Sequence, residues 1–373
     1  MLDRGQDGQG AQWRTIKFFN SGYIGHLMRI AVLLRDRCQP KKCNAECRSY
    51  CPKVRTGVEA IVMGEGGRPI ISEELCAGCG ICINKCPFEA IKIIGLPEEI
   101  ESELMHQYGQ NGFRIYRLPV PKTGLVTGIL GPNGIGKTTS IGLLSGREVP
   151  NFGQFDDPPS KEEVLDRLSG TELGDHLVKV YAGQVRTALK PQYVDKLPAA
   201  VKGVPRDLLG RVAERMTVEE ASSLLDLDEV IDRPLDKLSG GELQRVAIAL
   251  CLSKDADIYL LDEPSAYLDS NQRMEAAKTI RRVMEKKGRS ALIVDHDIYF
   301  LDMVSDSMMV FSGTPGVEGL ATGPYDMRQG MNMFLKAIDV TFRRDNDTNR
   351  PRINKPGSRL DREQKEKGEY YYS

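Results

Sequence analysis

Short apolar runs recur along the chain, separated by stretches in which charged residues interleave with leucine and valine. An apolar run of about four to eight residues between polar segments is typical of a buried strand. The runs that predict strands are Arg29–Leu34, Leu125–Leu130, Ile258–Leu261 and Ala291–Val294. The interleaved stretches that predict helices are Lys161–Arg167 and Asp207–Asp226. Because strands alternate with helices, the pattern predicts an α/β fold built on a mainly parallel sheet.

Polar and proline-containing segments divide the chain. Pro97-Glu98-Glu99 follows an apolar run and predicts a boundary near residue 97. From about Phe342 the chain turns polar and contains Pro351 and Pro356, which predicts an extended or wrapping segment. The predicted parts are an N-terminal extension at 1–27, a first domain at 28–97, a larger second domain at 98–340 and a tail at 341–373.

Composition and charge narrow the class of protein. Of the 373 residues, 40% are hydrophobic and 28% charged, as in ordinary globular chains. Lys and Arg total 51 against 52 Asp and Glu, so a globally basic nucleic-acid coat and a strongly acidic chain are both excluded. There is no apolar run long enough for a membrane span and no apolar signal segment at the start. We therefore expect a soluble, cytoplasmic protein without a membrane partner.

Eight of the nine cysteines fall between residues 38 and 86, in two runs that each end in proline. The second run has the bacterial-ferredoxin spacing for a [4Fe–4S] cluster. In two-cluster ferredoxins the fourth cysteine of each run ligates the other cluster. The predicted ligands of one cluster are Cys38, Cys43, Cys47 and Cys86, and those of the other are Cys51, Cys76, Cys79 and Cys82. Residues 28–97 are thus predicted to form a ferredoxin-like domain with two clusters.

Two other uses of these cysteines stay open at this point, a disulfide framework and a pair of four-thiolate zinc sites. Disulfides fit poorly with a chain that has no secretion signal, and zinc sites usually show paired C-x2-C spacings. Between Met28 and Arg55 the sequence has eight Lys or Arg but two acidic residues, and this excess of positive charge can neutralise two anionic clusters. The ninth cysteine, Cys251, lies in an apolar run and is expected in the core.

The segment from Gly131 to Thr138 is a Walker A loop between a predicted strand and a predicted helix, Thr139–Leu144. Its glycines let backbone N–H groups surround phosphates, Lys137 supplies a positive charge, and Thr138 is a candidate Mg²⁺ ligand. The candidate nucleotide-binding residues are Gly131, Asn133, Gly134, Gly136, Lys137, Thr138 and Thr139.

Further motifs follow the Walker A loop in order. At the end of the strand Ile258–Leu261, Asp262 is expected to orient Mg²⁺ and Glu263 to polarise the attacking water. Gln192 is a candidate contact to Mg²⁺ and water, and His296 a candidate γ-phosphate contact. In isolation, Asp262 could also be a capping residue at the end of a buried strand, and a lone histidine at the position of His296 is more often a structural hydrogen-bonding residue. Because both follow a Walker A loop, we predict catalytic roles for Glu263, His296 and Gln192.

The sequence Leu238-Ser-Gly-Gly-Glu242 precedes the predicted helix Leu243–Leu252. Backbone N–H groups of Ser239, Gly240 and Gly241 would lie at the positive end of the helix dipole, where a γ-phosphate binds well. On its own such a sequence is an ordinary N-cap. The segment Ile258–Glu263 is a Walker B strand. A further segment, Ser265-Ala-Tyr-Leu-Asp269, follows it, and Asp269 is a candidate nucleotide-site residue.

The order of these motifs resembles the ATP-binding-cassette (ABC) superfamily. With the eight cysteines and the segment Arg35–Cys43, the chain resembles the RNase L inhibitor family, iron–sulfur ABC ATPases of ribosome recycling, over residues 28–373. The resemblance implies an ABC-type P-loop domain after the ferredoxin-like one, with ATP, Mg²⁺ and two [4Fe–4S] clusters as cofactors. It also implies that Tyr108 and Phe113 stack on adenine, and that the small ribosomal subunit and release or rescue factors are partners. Because Met28 resembles the usual start of the family, residues 1–27 are expected to be dispensable or untranslated.

The chain departs from the family in one respect. It has one Walker A loop and one signature sequence, Leu238–Glu242, where the family carries two cassettes. The front, to about residue 200, resembles the first cassette, and the rear resembles the end of the second. The chain therefore reads as a hybrid joined near the signature sequence. Each ATP of an ABC protein lies between the Walker A loop of one cassette and the signature of another. We accordingly predict an ATP-dependent head-to-tail homodimer, or a partner cassette, with Lys137 facing Ser239 of the other chain.

The motifs predict ATP hydrolysis, and the resemblance implies that it is coupled to the splitting of ribosomal subunits. Three alternatives stay open on the sequence alone: an ATP-coupled iron–sulfur electron carrier, the ATPase subunit of a transporter, and an inactive half-molecule that binds only ATP or ribosomes.

Overall fold

The computed structural model describes residues 27–72, 75–97, 103–118, 120, 122–345 and 351–371. The expected N-terminal extension, apart from Leu27, lies outside these residues. Among the described residues, none of the helices is both long and apolar enough to cross a lipid bilayer.

The first unit is small and built around the cysteines. Its strands are β1 (Leu27–Leu33), β2 (Ile61–Met63), β3 (Pro69–Ile71) and β4 (Ile91–Pro97), and its helices are α1 (Glu46–Ser49), α2 (Pro52–Arg55) and α3 (Ile81–Lys85). β1 pairs antiparallel with β4, and β2 with β3. Pro52, which closes the first cysteine run, occupies the first turn of α2, where its missing N–H costs nothing. Ile61, Ile71 and Ile91 pack with six of the eight cysteines into one apolar cluster.

The second unit is organised around an eight-stranded sheet. Its strands are β5 (Leu104–Gln107), β6 (Arg114–Tyr116), β7 (Val126–Leu130), β8 (Thr187–Lys190), β9 (Ile258–Asp262), β10 (Ser290–Val294), β11 (Ser307–Ser312) and β12 (Glu318–Asp326). Their order in the sheet is β5-β6-β12-β11-β7-β10-β9-β8. β11, β7, β10, β9 and β8 run parallel to one another, whereas β5 with β6 and β11 with β12 are antiparallel. The prediction of an α/β fold with a mainly parallel sheet is confirmed.

Helices cover both faces of this sheet. They are α4 (Lys137–Leu144), α5 (Lys161–Arg167), α6 (Glu172–Tyr181), α7 (Leu197–Ala200), α8 (Pro205–Val212), α9 (Val218–Leu224), α10 (Gly240–Leu252), α11 (Ser270–Lys287), α12 (Ile298–Val304) and α13 (Met327–Ala337). Every residue of β7, β9 and β10 is buried, as expected of parallel strands covered on two faces. The two faces form separate apolar cores, and Cys251 lies in one of them with 1% exposure, which confirms its expected core position.

The expected helix over Asp207–Asp226 is wrong in one respect, because two helices, α8 and α9, occupy it. Thr217 interrupts the helix. Its hydroxyl accepts a hydrogen bond from the Glu220 N–H at 3.1 Å, and the Glu220 carboxylate accepts one from the Thr217 N–H at 3.0 Å. This reciprocal capping box starts a new helix at Val218.

The tail wraps back onto the second unit instead of extending away from it. It forms β13 (Phe342–Arg344), β14 (Pro351–Ile353) and α14 (Arg359–Lys367). Phe342, Tyr370 and Tyr371 are buried in the larger core of the second unit. The Tyr371 hydroxyl donates to the carboxylate of Asp302, which also accepts a hydrogen bond from Arg344 at 3.1 Å. These contacts attach the tail to the sheet domain.

Candidate nucleotide site and cysteine centres

The Walker A loop connects β7 to α4 and is shaped by glycines. Gly136 has φ +90°, and a Cβ there would come within 2.7 Å of the Phe113 ring. The loop therefore needs glycine at this position for both its backbone conformation and its packing. The first turn of α4 follows directly, so its free N–H groups and positive dipole end face the loop, as in anion-binding helix N-termini.

Lys137 is buried at the start of α4, with 5% exposure. Its ammonium donates to the carbonyl oxygens of Gly131 and Pro132, both at 2.7 Å. Burial lowers the pKa of Lys137 to about 8, while the carboxylates of Glu263 and Asp262 act in the opposite direction. The ammonium is therefore held inside the loop, where phosphate oxygens of a bound nucleotide would be its partners.

Asp262 ends β9 opposite the same loop. Its Oδ2 accepts a hydrogen bond from the Thr138 hydroxyl at 2.9 Å. Its Oδ1 is buried and has no hydrogen-bond partner among the described residues. Burial raises the pKa of Asp262, and the hydrogen bond from Thr138 opposes that change. A carboxylate oxygen and a hydroxyl, both oxygen ligands, lie side by side with one buried oxygen unused, which fits the needs of Mg²⁺.

Glu263 follows with φ +48°, in the left-handed region that non-glycine residues seldom adopt. Its Oε1 accepts a hydrogen bond from Gln192 Nε2 at 2.8 Å and lies 3.2 Å from His296 Nε2. The structure thus brings all three predicted catalytic residues together. Gln192 and His296 both contact the carboxylate of Glu263, so they hold it in place.

The Walker A loop lines a cavity of about 530 Å³ together with Gln192, Glu263 and His296. Its walls contain Tyr108, Phe113, Asn133, Gly134, Gly136, Lys137, Thr138, Thr139, Gln192, Glu263 and His296, together with four further residues. The Tyr108 hydroxyl donates to the Glu148 carboxylate at 2.6 Å, which fixes the ring at the edge of the cavity. Two aromatic side chains at the rim are suited to stack on a planar base.

Among the described residues that line this cavity, none belongs to the signature sequence. Ser239 caps α10, with its hydroxyl 3.4 Å from the Glu242 N–H and its own N–H 2.6 Å from the Glu242 carboxylate. Asp269 likewise caps α11, accepting from Asn271 N–H and Gln272 N–H at 2.8 and 2.9 Å. The structure therefore separates Ser239, Gly240, Gly241 and Asp269 from the other candidate nucleotide residues.

The eight clustered cysteines fall into two sets. Cys38, Cys43, Cys47 and Cys86 line one cavity of the first unit, and Cys51, Cys76, Cys79 and Cys82 line another. Each set takes three cysteines from one run and the fourth from the other run. All eight are free thiols, as is Cys251, so a disulfide framework is not formed.

The thiols of each set lie close enough to influence one another. Burial raises the pKa of Cys47 to about 11, and the charges of Cys86, Cys43 and Cys38 add to that rise. Burial also raises the pKa of Cys82 to about 11, with contributions from Cys76, Cys79 and Cys51. Across the described residues, no three Cys, His or acidic side chains converge tightly enough for a single metal ion. Each of the two cavities is lined by four thiols, the donor set that Fe–S clusters use.

Three family models match the chain. The model "Possible Fer4-like domain in RNase L inhibitor, RLI" matches residues 28–59, "4Fe-4S binding domain" matches 69–92, and "ABC transporter" matches 121–266. The first two span the cysteine unit, and the third spans the Walker A loop, the signature sequence and the Walker B strand. Together they imply iron–sulfur clusters, and ATP with Mg²⁺, as the cofactors of this chain.

Among curated proteins, "ABC transporter E family member 1" of Arabidopsis thaliana is 45% identical over 84% of this chain and 52% of its own length. "Translation initiation factor RLI1" of Saccharomyces cerevisiae is 43% identical over 82% of this chain and 51% of its own. The shorter "ABC transporter E family member 3" of Arabidopsis is 36% identical, and 84% of its length is covered. The chain belongs to the RNase L inhibitor family.

Solved structures agree with this membership. The structure described as "Model of ribosome-bound archaeal Pelota and ABCE1" has a TM-score of 0.78 and 47% identity, over 84% of this chain and 52% of that one. As a member of the RNase L inhibitor family, the chain spans about half the length of the curated relatives it matches. Its fold is an ABC-type domain preceded by an iron–sulfur domain.

Several residues of the site were not found from the sequence. Tyr193 and Gly316 line the cavity, and the Gly316 N–H donates to the Gly134 carbonyl at 2.8 Å. Glu148 holds Tyr108, and Lys190 lies fully buried behind Glu263. The signal available for Lys190 was its position directly before Pro191 and Gln192, at the end of the segment Thr187–Lys190.

Proposed function

We propose that this chain binds and hydrolyses ATP and uses the closure that nucleotide binding drives to act on ribosomes in the cytoplasm, in ribosome recycling. The observation that supports the proposal best is the cavity that holds Lys137 of the Walker A loop together with Glu263, Gln192 and His296. A buried ammonium, a carboxylate beside it and two side chains that orient the carboxylate are the groups that phosphoryl transfer to water requires.

In the proposed reaction the residues divide the work. Lys137 exchanges the carbonyl oxygens of Gly131 and Pro132 for phosphate oxygens and stabilises the charge that develops there. Thr138 and Asp262 would hold Mg²⁺, which neutralises phosphate charge when bound.

Glu263 accepts the hydrogen bond of the attacking water. Gln192 and His296 keep its carboxylate turned toward the cavity.

The base of the nucleotide would lie between the Walker A loop and the aromatic rim. Tyr108 and Phe113 line the same cavity as Gly134 and Thr139, so a nucleotide whose phosphates contact the loop can reach both rings with its base. Stacking does not depend on the identity of the base, because every base has an aromatic face.

The eight thiols of the first unit are proposed to ligate two [4Fe–4S] clusters in the two sets that the cavities define. Because each set joins both cysteine runs, the clusters would tie the short strands and helices of this unit together. We assign them a structural role.

Closure of the site is proposed to need a second cassette. The signature residue Ser239 does not line the cavity that holds Lys137 of the same chain. A second copy in head-to-tail orientation would supply its Ser239, Gly240 and Gly241 to this cavity and receive the same residues in return. The symmetric homodimer is therefore the proposed hydrolysing species.

The proposed ribosomal partner rests on the relatives and on surface charge. A structure with 47% identity is described as ribosome-bound archaeal Pelota and ABCE1. In this chain Lys41, Lys42 and Arg68 surround an open cleft of about 420 Å³ on the iron–sulfur unit. Such a basic cleft suits the phosphates of ribosomal RNA, and the small subunit with release or rescue factors is the proposed target.

Two measurements on the holo chain test the proposal. Glu263→Gln should keep ATP binding but slow hydrolysis by about 10²- to 10⁴-fold, and Lys137→Ala should weaken ATP binding itself. In sedimentation with purified small ribosomal subunits, Glu263→Gln with Mg-ATP should co-sediment, and charge reversal at Lys41 and Lys42 should reduce this. A chain without ATP hydrolysis would contradict the ATPase, and a chain that hydrolyses ATP but never sediments with ribosomes would contradict only the ribosomal role.

A further inference from the structure

Lys190 is the last residue of β8 and is completely buried. Its ammonium donates to two consecutive backbone carbonyls of the Walker B segment, Asp262 O at 2.7 Å and Glu263 O at 3.0 Å. A buried ammonium is costly unless it is paired and hydrogen-bonded. These two hydrogen bonds therefore stabilise the buried ammonium of Lys190.

The charge of Lys190 is balanced by the acidic groups of the site. Burial lowers the pKa of Lys190 to about 8, and the carboxylates of Asp262, Asp295 and Glu263 oppose that change. Asp295 follows β10 and accepts hydrogen bonds from the N–H and the hydroxyl of Ser265, at 2.9 and 2.7 Å. Lys190 thus lies close to acidic residues at the ends of two neighbouring strands, β9 and β10.

The backbone of Glu263 needs such support. Its φ of +48° lies in the left-handed region, which is unfavourable for a glutamate because the Cβ comes close to the following carbonyl oxygen. Its N–H donates to Val294 O at 2.7 Å, and its carbonyl accepts from Gln244 Nε2 at 2.7 Å as well as from Lys190. Its carbonyl also accepts from the Ala266 N–H at 3.4 Å, and the other three partners come from β10, α10 and β8, so three separate elements hold one residue.

We propose that Lys190 and Gln244 are positioning residues that hold the backbone of Glu263 in its left-handed conformation and so aim its carboxylate into the nucleotide cavity. This inference rests on the proposed role of Glu263 in hydrolysis. Gln192 and His296 hold the carboxylate, whereas Lys190 and Gln244 hold the peptide group at the root of the same side chain. The two pairs act on different atoms of one residue.

The contribution of Gln244 has a structural consequence. Gln244 lies on α10, the helix that Ser239 caps, so a hydrogen bond joins the signature helix to the Walker B glutamate within one chain. A displacement of α10 would therefore change the position of the Glu263 peptide.

The test uses Lys190→Met, which keeps the length of the side chain and removes the ammonium. Single-turnover hydrolysis should fall by about 10- to 100-fold, the usual cost of a catalytic group displaced by about an ångström. The dissociation constant for Mg-ATP should change by less than about 3-fold, because Lys190 does not line the cavity. Lys179→Met, at an exposed position on α6, is the control and should leave both values unchanged.

A double-mutant cycle separates positioning from general destabilisation. In the Glu263→Gln background, Lys190→Met should cause no further loss of hydrolysis, because there is no carboxylate left to aim. Equal losses in both backgrounds, or unchanged hydrolysis in Lys190→Met, would overturn the inference. Either outcome contradicts only the role of Lys190. The proposed function is still supported if the wild-type chain hydrolyses ATP and the Glu263→Gln chain does not.

Gln244→Met provides a second, independent variant should Lys190→Met fail to fold. It removes a different donor to the same carbonyl and should show the same split between hydrolysis and nucleotide affinity. A Gln244→Met chain that folds, by its thermal unfolding and cluster absorption, and hydrolyses ATP at the wild-type rate would contradict the inference.

Discussion

The side-chain amide of Asn111 pairs with both backbone polar groups of Ile71, accepting from its N–H at 2.7 Å and donating to its carbonyl at 2.9 Å. Ile71 ends β3 of the iron–sulfur unit, and Asn111 lies in the loop between Tyr108 and Phe113 at the rim of the nucleotide cavity. One side chain thus joins a strand of the iron–sulfur unit to a loop at the edge of the nucleotide cavity. Asn111 has φ +51°, a conformation that asparagine tolerates better than most residues.

Removing this amide should loosen the attachment of the iron–sulfur unit. Asn111→Gly suits the positive φ but leaves the N–H and carbonyl of Ile71 without their partner, and each unsatisfied group costs about 1–3 kcal/mol. Hydrogen exchange at the Ile71 amide should accelerate by about 10-fold or more. Arg35→Ala, which removes an exposed hydrogen bond to Gln110 O at 3.2 Å, is the control and should have a smaller effect. Unchanged exchange in Asn111→Gly would show that other contacts hold the two units together.

Metal analysis of the anaerobically purified chain should find about eight iron and eight sulfide per chain, the content of two cubane clusters. Cys79→Ser should lose one cluster and impair the other, because each thiol set uses both cysteine runs. Cys251→Ala is the matched control, since Cys251 is buried in the sheet domain and belongs to neither set. Stoichiometric zinc without iron in native material would refute the assignment.

Head-to-tail pairing predicts complementation between two inactive chains. Lys137→Ala keeps an intact signature, and Ser239→Phe keeps an intact Walker A loop, so a mixed dimer contains one complete site. An equimolar mixture should recover about a quarter of wild-type hydrolysis, because half of the dimers are mixed and each has one good site of two.

Light scattering of Glu263→Gln should show a dimer only with Mg-ATP. A strict monomer under saturating Mg-ATP would reject the homodimer and favour a separate partner cassette.

Mild acid should weaken the sheet domain through His176. This histidine is 9% exposed on α6, with Nε2 3.1 Å from the Leu144 carbonyl, and burial lowers its pKa below the ordinary value of 6.5. The folded state therefore favours neutral His176. Its stabilising contribution is complete above pH 6.5 and is lost as the pH falls toward the folded-state pKa.

Thermal unfolding at about pH 7.5 and about pH 5.5 measures this effect. His176→Gln retains a donor for Leu144 O but does not titrate, so its melting temperature should fall less between the two pH values than that of the wild type. An equal fall in both chains would assign the acid sensitivity to other groups.

The sequence by itself determined the parts of the site that lie within short segments. The Walker A loop, from Gly131 to Thr138, needs glycine for its turn and a helix directly after it, and both requirements are local. Each cysteine run likewise brings three thiols together within about ten residues. Strands β7 and β10 were predictable because strands that are buried on both faces are rich in apolar residues.

The tertiary structure decided which of these segments meet. Lys190 contacts Glu263 across 73 residues, and Asn111 contacts Ile71 across 40, and neither contact has a signal in local spacing. The sheet order places β8 beside β9 and so brings a buried ammonium to the Walker B carbonyls. Ser239 caps α10 and is not among the residues that line the cavity of its own chain. Contacts between distant residues depend on strand pairing, which minimises the free energy of the whole core and not of any one segment.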